Sequence, residues 1–183
     1  MAFAVWFTGL PGSGKTAIAS RTADILKTKG IEVKTLQLDE IRRVLTPHPK
    51  YTDEERDIVY ASLAYMAKLL AECGTNVFID ATANRMKYRD AARKIIPQFA
   101  EVFIRCPLSV CIEREAHRKA AFSPKGIYKQ SAQTGANVPG VNIPYEEPMN
   151  PLIIIDSDKM KPDESARKVA DAIISFSGAQ HGN

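Results

Sequence analysis

Apolar residues recur along this chain in two rhythms. Short unbroken runs, Phe3-Ala4-Val5-Trp6-Phe7, Val77-Phe78-Ile79 and Ile153-Ile154-Ile155, are bounded by polar or turn residues and predict buried strands. Glu32–Leu38 alternates around Val33, Leu36 and Leu38, and Glu101–Arg105 adds another short run, which brings the predicted strands to five. Between them the spacing becomes helical. Ala17–Lys29 carries Ile18, Ala19, Ile25 and Leu26 on one side, and 53–73 carries Leu63, Met66, Ala67 and Leu70. Met86–Ile96, 107–119 and Pro162–Phe176 follow the same period, and a short helix runs from Ile41 to Leu45 before Pro47 and Pro49. Gly30 and Gly74 stand where helices should end, and Thr52-Asp53-Glu54-Glu55 reads as a capping box that opens the longest one. Strands alternating with helices predict an α/β domain around a parallel sheet, with right-handed crossovers.

The link between the first strand and the first helix changes this picture from architecture to chemistry. Gly9-Leu10-Pro11-Gly12-Ser13-Gly14-Lys15-Thr16 fits G-x-x-x-x-G-K-[ST] in the strand, loop, helix context that a phosphate loop requires. Glycines at 9, 12 and 14 let successive backbone N–H groups turn inward around an anion, and the helix start adds its positive end. Lys15 brings a full charge to the β and γ phosphates of ATP, and the Thr16 hydroxyl is suited to the accompanying Mg2+. The bland alternative, a tight turn before a helix, does not need the Lys-Thr pair. With the loop after the first strand, the strand order 2-3-1-4-5 places the third strand beside the first, in a P-loop kinase fold with helices on both faces.

Two carboxylates follow from that topology. Asp39 is expected at the C-terminal end of the second strand, on the sheet edge where ligands bind, as a magnesium-shell ligand or as the base that orients a hydroxyl; the alternative is a helix N-cap. Asp80 ends the third strand like a Walker B residue that holds magnesium through water, or it caps the next turn. Lys87, Arg89, Arg93 and Lys94 read as a solvated basic face. From Ala120 to Pro151 the periodicity breaks down, with five prolines and three glycines, and a lid over about 117–151 is expected there.

Composition narrows the partners. The 183 residues suit one domain over 1–183, and 45% hydrophobic with 25% charged residues is ordinary for a globular chain. A net charge of +4, scattered apart from Arg114 to Lys129, points to a small anionic ligand rather than nucleic acid. Cys73, Cys106 and Cys111 form no C-x-x-C pair and are read as thiols of a reducing cytoplasm, without metal or disulfide framework. Met1–Leu10 lacks a basic flank and leads into the phosphate loop, so it is not read as a signal peptide, and no apolar run approaches a membrane span. A GTP switch lacks its Asn/Thr-Lys-x-Asp segment here, and a motor or transporter ATPase is normally larger. Phosphoryl transfer to a second small molecule under a basic lid fits best.

Several segments together resemble the adenylylsulfate kinases, which use MgATP to phosphorylate the 3′-hydroxyl of adenosine 5′-phosphosulfate (APS). The phosphate loop, Asp39-Glu40-Ile41-Arg42, Met66-Ala67-Lys68-Leu69-Leu70-Ala71, Pro107-Leu108-Ser109-Val110-Cys111 and Pro124-Lys125-Gly126-Ile127-Tyr128-Lys129 are similar to its motifs. So is Gly140-Val141 with Pro144-Tyr145-Glu146. The resemblance implies a catalytic or magnesium-shell role for Asp39, acceptor contacts from Arg42 and Arg56, and Lys125 with Gly126 in the lid over the reacting groups. It places Arg114 against the ATP adenine and Tyr51, Val138 and Val141 around the acceptor. It also implies a homodimer working in sulfate assimilation. The chain departs from the family pattern at Gln37, Leu38, Glu40, Ala61 and Ala83, has Tyr51 and Val138 where the family has stacking phenylalanines, and carries about eight extra residues after Arg114. Other readings are a kinase with a different hydroxyl or phosphate acceptor, and an ATP-binding sensor without turnover.

Overall fold

The computed structural model of the protein describes residues 1–117, 126–130 and 137–178. Five parallel strands, β1 (Ala4–Thr8), β2 (Val33–Gln37), β3 (Asn76–Asp80), β4 (Phe99–Arg105) and β5 (Ile153–Asp156), lie in the order β2-β3-β1-β4-β5. The predicted sheet order is therefore the observed one. It follows from β1, whose five residues are all buried because strands flank it on both edges and helices cover both faces.

Alternation along β1 divides the core in two. Val5 and Phe7 face α1 (Lys15–Thr28) and α7 (Pro162–Gly178), packing with Ile18, Leu26, Val169 and Ile173. Ala4 and Trp6 face α3 (Asp53–Glu72) and α4 (Met86–Ile95), packing with Val59, Leu63 and Ala92. Trp6, the single tryptophan, is fully buried, donates its indole N–H to the Ala81 carbonyl at 3.0 Å and lies near Tyr60 and Phe99. A third, smaller cluster joins Leu10 of the phosphate loop to Cys106, to Cys111 on α5 (Leu108–His117), to Tyr128 on the short α6 (Ile127–Gln130), and to Val138.

Several boundaries differ from the sequence expectation. β2 ends at Gln37 and the chain turns at once into α2 (Leu38–Leu45), whose N-cap position is Gln37. Asp39 thus lies in the first helical turn, and its reading as an N-cap is excluded. Thr52 does cap α3, its hydroxyl accepting from the Glu55 amide at 3.2 Å, but Glu55 reaches back past it to the amides of Lys50 and Tyr51 at 2.6 and 3.1 Å. The basic face of α4 is not uniformly solvated. Arg89 is fully buried, because Glu101 in the interior of β4 requires a cation: Arg89 Nε meets Glu101 Oε2 at 2.8 Å, and Arg93 takes the other oxygen. Of the three cysteines, Cys106 and Cys111 are buried and Cys73 is exposed.

Candidate active site

The phosphate loop, the end of β3, the start of α2 and the segments around 128 and 138 meet at the C-terminal edge of the sheet. Gly9, Gly12 and Gly14 have φ of 148°, 80° and 101°. Close approach reinforces that requirement, since a side chain at Gly9 would run into the Ile104 carbonyl and one at Gly12 into that of Cys111. Lys15, only 8% exposed, folds back over the loop and donates to the Gly9 and Leu10 carbonyls, both at 2.9 Å. The loop is also gripped from outside. The Tyr128 hydroxyl donates to the Pro11 carbonyl at 2.7 Å, and the Ser157 hydroxyl to that of Ser13 at 2.7 Å. Arg114 donates to both oxygens of Ser157, at 3.1 and 2.8 Å, beside the same loop.

Parallel pairing sets the two carboxylates. Asp80 lies opposite Phe7 of β1 and Gln37 of β2, so it stands beside the loop, and Thr16 Oγ1 donates to Asp80 Oδ2 at 2.6 Å. Asp39, two residues beyond Gln37 and half-buried, is close enough to raise the pKa of Tyr51 as a lesser cause, after burial of the phenol. No cluster of three His, Cys, Asp or Glu side chains able to hold a metal is present among the described residues. A hydroxyl paired with one carboxylate fits magnesium nonetheless, because that ion retains waters and takes phosphate oxygens rather than an all-protein cage.

On the other side of the crevice stands a wall built around Tyr51. Its φ is 55°, a left-handed conformation that a tyrosine holds only when neighbours fix it. The Glu55 carboxylate takes its amide, and Arg56 Nε and Asn137 Nδ2 donate to its carbonyl at 3.2 and 3.3 Å. The Arg42 guanidinium lies over its ring at 5.1 Å. Arg42 also pairs with Glu55 at 2.9 Å, and Arg56 donates to Asn84 Oδ1 at 3.3 Å and the Asn137 carbonyl at 2.7 Å. Both arginines are thus buried, 8% and 6% exposed, in bonds to the protein itself.

Of the residues singled out in the sequence, 9–16, Asp39, Asp80, Arg114, Arg42, Arg56 and Tyr51 converge on this edge. Val138 is buried against Cys106, Cys111 and Tyr128, Val141 is half exposed, and Gly126 gives its amide to Glu115 at 2.8 Å. Lys125 and much of the expected lid lie outside the described residues. The sequence reading passed over Glu55, Asn84, Glu115 and Ser157. Glu55 had a signal in the capping box; Glu115 and Ser157 had none, since each acts on a segment distant in sequence. Burial raises the Cys111 thiol pKa to about 12, with Cys106 adding to it, so this thiol is inert beside the loop.

The family model described as adenylylsulphate kinase matches residues 1–156. The chain is 38% identical over 166 residues to an adenylyl-sulfate kinase of Halothermothrix orenii, covering 90% of this chain and 85% of that protein. It is 35% identical over 168 residues to a probable bifunctional SAT/APS kinase 2 of Sorangium cellulosum, which covers 91% of this chain but only 28% of that longer protein. Among solved structures, an APS kinase of Mycobacterium tuberculosis in complex with AMPPNP and APS superposes with a TM-score of 0.81 at 33% identity, covering 95% of this chain and 98% of that one.

Proposed function

This chain belongs to the adenylylsulphate kinase family, and from that membership we infer that it transfers the γ-phosphoryl group of ATP to the 3′-hydroxyl of APS, giving 3′-phosphoadenylyl sulfate. The observation that carries this reading is the phosphate loop with its Thr16–Asp80 contact at the crevice edge of a sheet whose opposite wall, around Tyr51, is built separately. The Gly12 and Gly14 amides and Lys15 receive the phosphates, with Arg114 toward the nucleotide base. Lys15 leaves its carbonyl partners to follow charge onto the transferred group. Asp39 accepts the proton of the attacking hydroxyl as the new phosphorus–oxygen bond forms and the bond to ADP breaks. Thr16 and Asp80, with Asp39 alongside, would hold Mg2+, which when bound neutralises charge on the phosphates.

The acceptor is assigned to the side of the Tyr51 wall that faces the phosphate loop, with the 137–141 segment bonded into that wall and Gly126 and Lys125 on the lid side. Arg42 and Arg56 shape that wall. Residues 1–183 are read as one kinase domain, working as a homodimer in the cytoplasm, in sulfate assimilation. Among the described residues no helix is long and apolar enough to cross a membrane. The internal engagement of both arginines favours one competing reading, a kinase with a different hydroxyl acceptor. Purified protein with MgATP and APS tests the choice: 3′-phosphorylated product well above the no-acceptor background is expected, and turnover on another acceptor alone overturns APS as the substrate.

A further inference from the structure

A phosphate loop binds through peptide N–H groups, and a peptide next to glycine turns over easily unless something holds it. All peptide bonds described here are trans, so the carbonyl and the N–H of one peptide plane point in opposite directions. Fixing the Pro11 carbonyl on one side therefore aims the Gly12 N–H to the other, and fixing the Ser13 carbonyl does the same for Gly14. These are the two planes gripped from outside, by Tyr128 and by Ser157. The intervening Ser13 N–H is occupied by the Leu10 carbonyl at 3.1 Å, which leaves Gly12, Gly14 and the start of α1 to meet an anion.

We propose that Tyr128 and Ser157 are positioning residues for the nucleotide phosphates: their hydroxyls clamp the Pro11–Gly12 and Ser13–Gly14 peptide planes so that both glycine N–H groups face the phosphate site.

Both clamps are themselves fixed. Tyr128 is buried, and Glu115, 4% exposed, anchors its segment to α5 by accepting the Gly126 and Ile127 amides on one oxygen at 2.8 and 3.2 Å. Ser157 is buried past the end of β5, its amide donating to the Arg105 carbonyl at 3.0 Å and its own carbonyl held by Arg114. Neither residue belongs to the strand, loop, helix unit that carries the motif. The loop's consensus therefore does not contain the parts that hold it ready.

This inference rests on the nucleotide half of the proposed function and is independent of the acceptor. Its test is equilibrium binding of MgATP and of magnesium tripolyphosphate, which lacks base and ribose, to wild type, Tyr128→Phe and Ser157→Ala, with steady-state kinetics beside it. Each variant should bind both ligands about three- to ten-fold more weakly, by the same factor, with the KM for the acceptor unchanged. Unchanged affinities overturn the proposal. So does a loss confined to MgATP, which would place the hydroxyls against the base, or a rise in acceptor KM as well, which would mean general disruption. If one variant fails to fold, the other reports on its own plane. Wild type that binds neither ligand would sink this proposal together with the nucleotide site, whereas wild type that binds both but leaves APS untouched removes only the acceptor.

Discussion

The phosphate loop and the Tyr51 wall stand on the same edge of one sheet, but they are made of different material. The loop binds with backbone, so its residues must be small and consecutive, and eight adjacent positions contain almost all of it. The wall is made of side chains from α2, α3, the loop after β3 and the 137–141 segment, drawn together by Arg56 and Glu55. A site of the first kind tolerates few substitutions and looks alike from one chain to the next. A site of the second kind can change one residue at a time while its supports persist, and Tyr51, one of the chain's departures from the family pattern, stands at its centre.

Four substitutions set the two regions against each other. Lys15→Ala should have the largest effect, a loss of transfer of about 10²- to 10³-fold or more, since it removes the charge that follows the moving group; initial rates with saturating APS measure it, and near-normal rates would break the assignment of the loop. Asp39→Asn should lower kcat by about 10²-fold, far more than it weakens ATP affinity. If rates persist within a few-fold, the carboxylate serves α2 rather than the reaction. Arg56→Met should act on the wall only, leaving the Tyr51 and Asn137 carbonyls and Asn84 short of a donor. A cost of about 1 to 3 kcal/mol in stability and a raised KM for the acceptor are expected, with ATP binding intact, as read by denaturant unfolding and by kinetics. Val138→Phe should touch stability alone, overpacking the cluster of Cys106, Cys111 and Tyr128 by about 1 to 3 kcal/mol with both KM values unchanged. Tighter acceptor binding without loss of stability would instead put that side chain in the crevice.

Much of the fold was legible because it depends on local pattern. The apolar runs and helical spacings place all five strands, and the position of the phosphate loop after β1 carries the strand order. What pattern could not supply was side-chain direction across long separations. Arg89 looks like its neighbours Lys87 and Arg93 in sequence, and only the burial of Glu101 in β4 explains why it turns inward. Nothing near Arg42 and Arg56 in sequence shows that Asn84 and Asn137 meet Arg56, or that Glu55 meets Arg42. The convergence of Asp80 with Thr16 was legible because sheet order forces it; the clamps at Tyr128 and Ser157 were not, because nothing in the chain's periodicity links residue 157 to residue 13.

Trp6 gives the molecule a built-in optical reporter. A single indole, sealed in the core two residues before Thr8 and bonded to the Ala81 carbonyl, emits from one environment only. Selective excitation of that ring follows the integrity of β1 and of the turn after β3 without any label. Every substitution above can then be sorted spectroscopically into those that disturb the frame and those that disturb only the chemistry mounted on it.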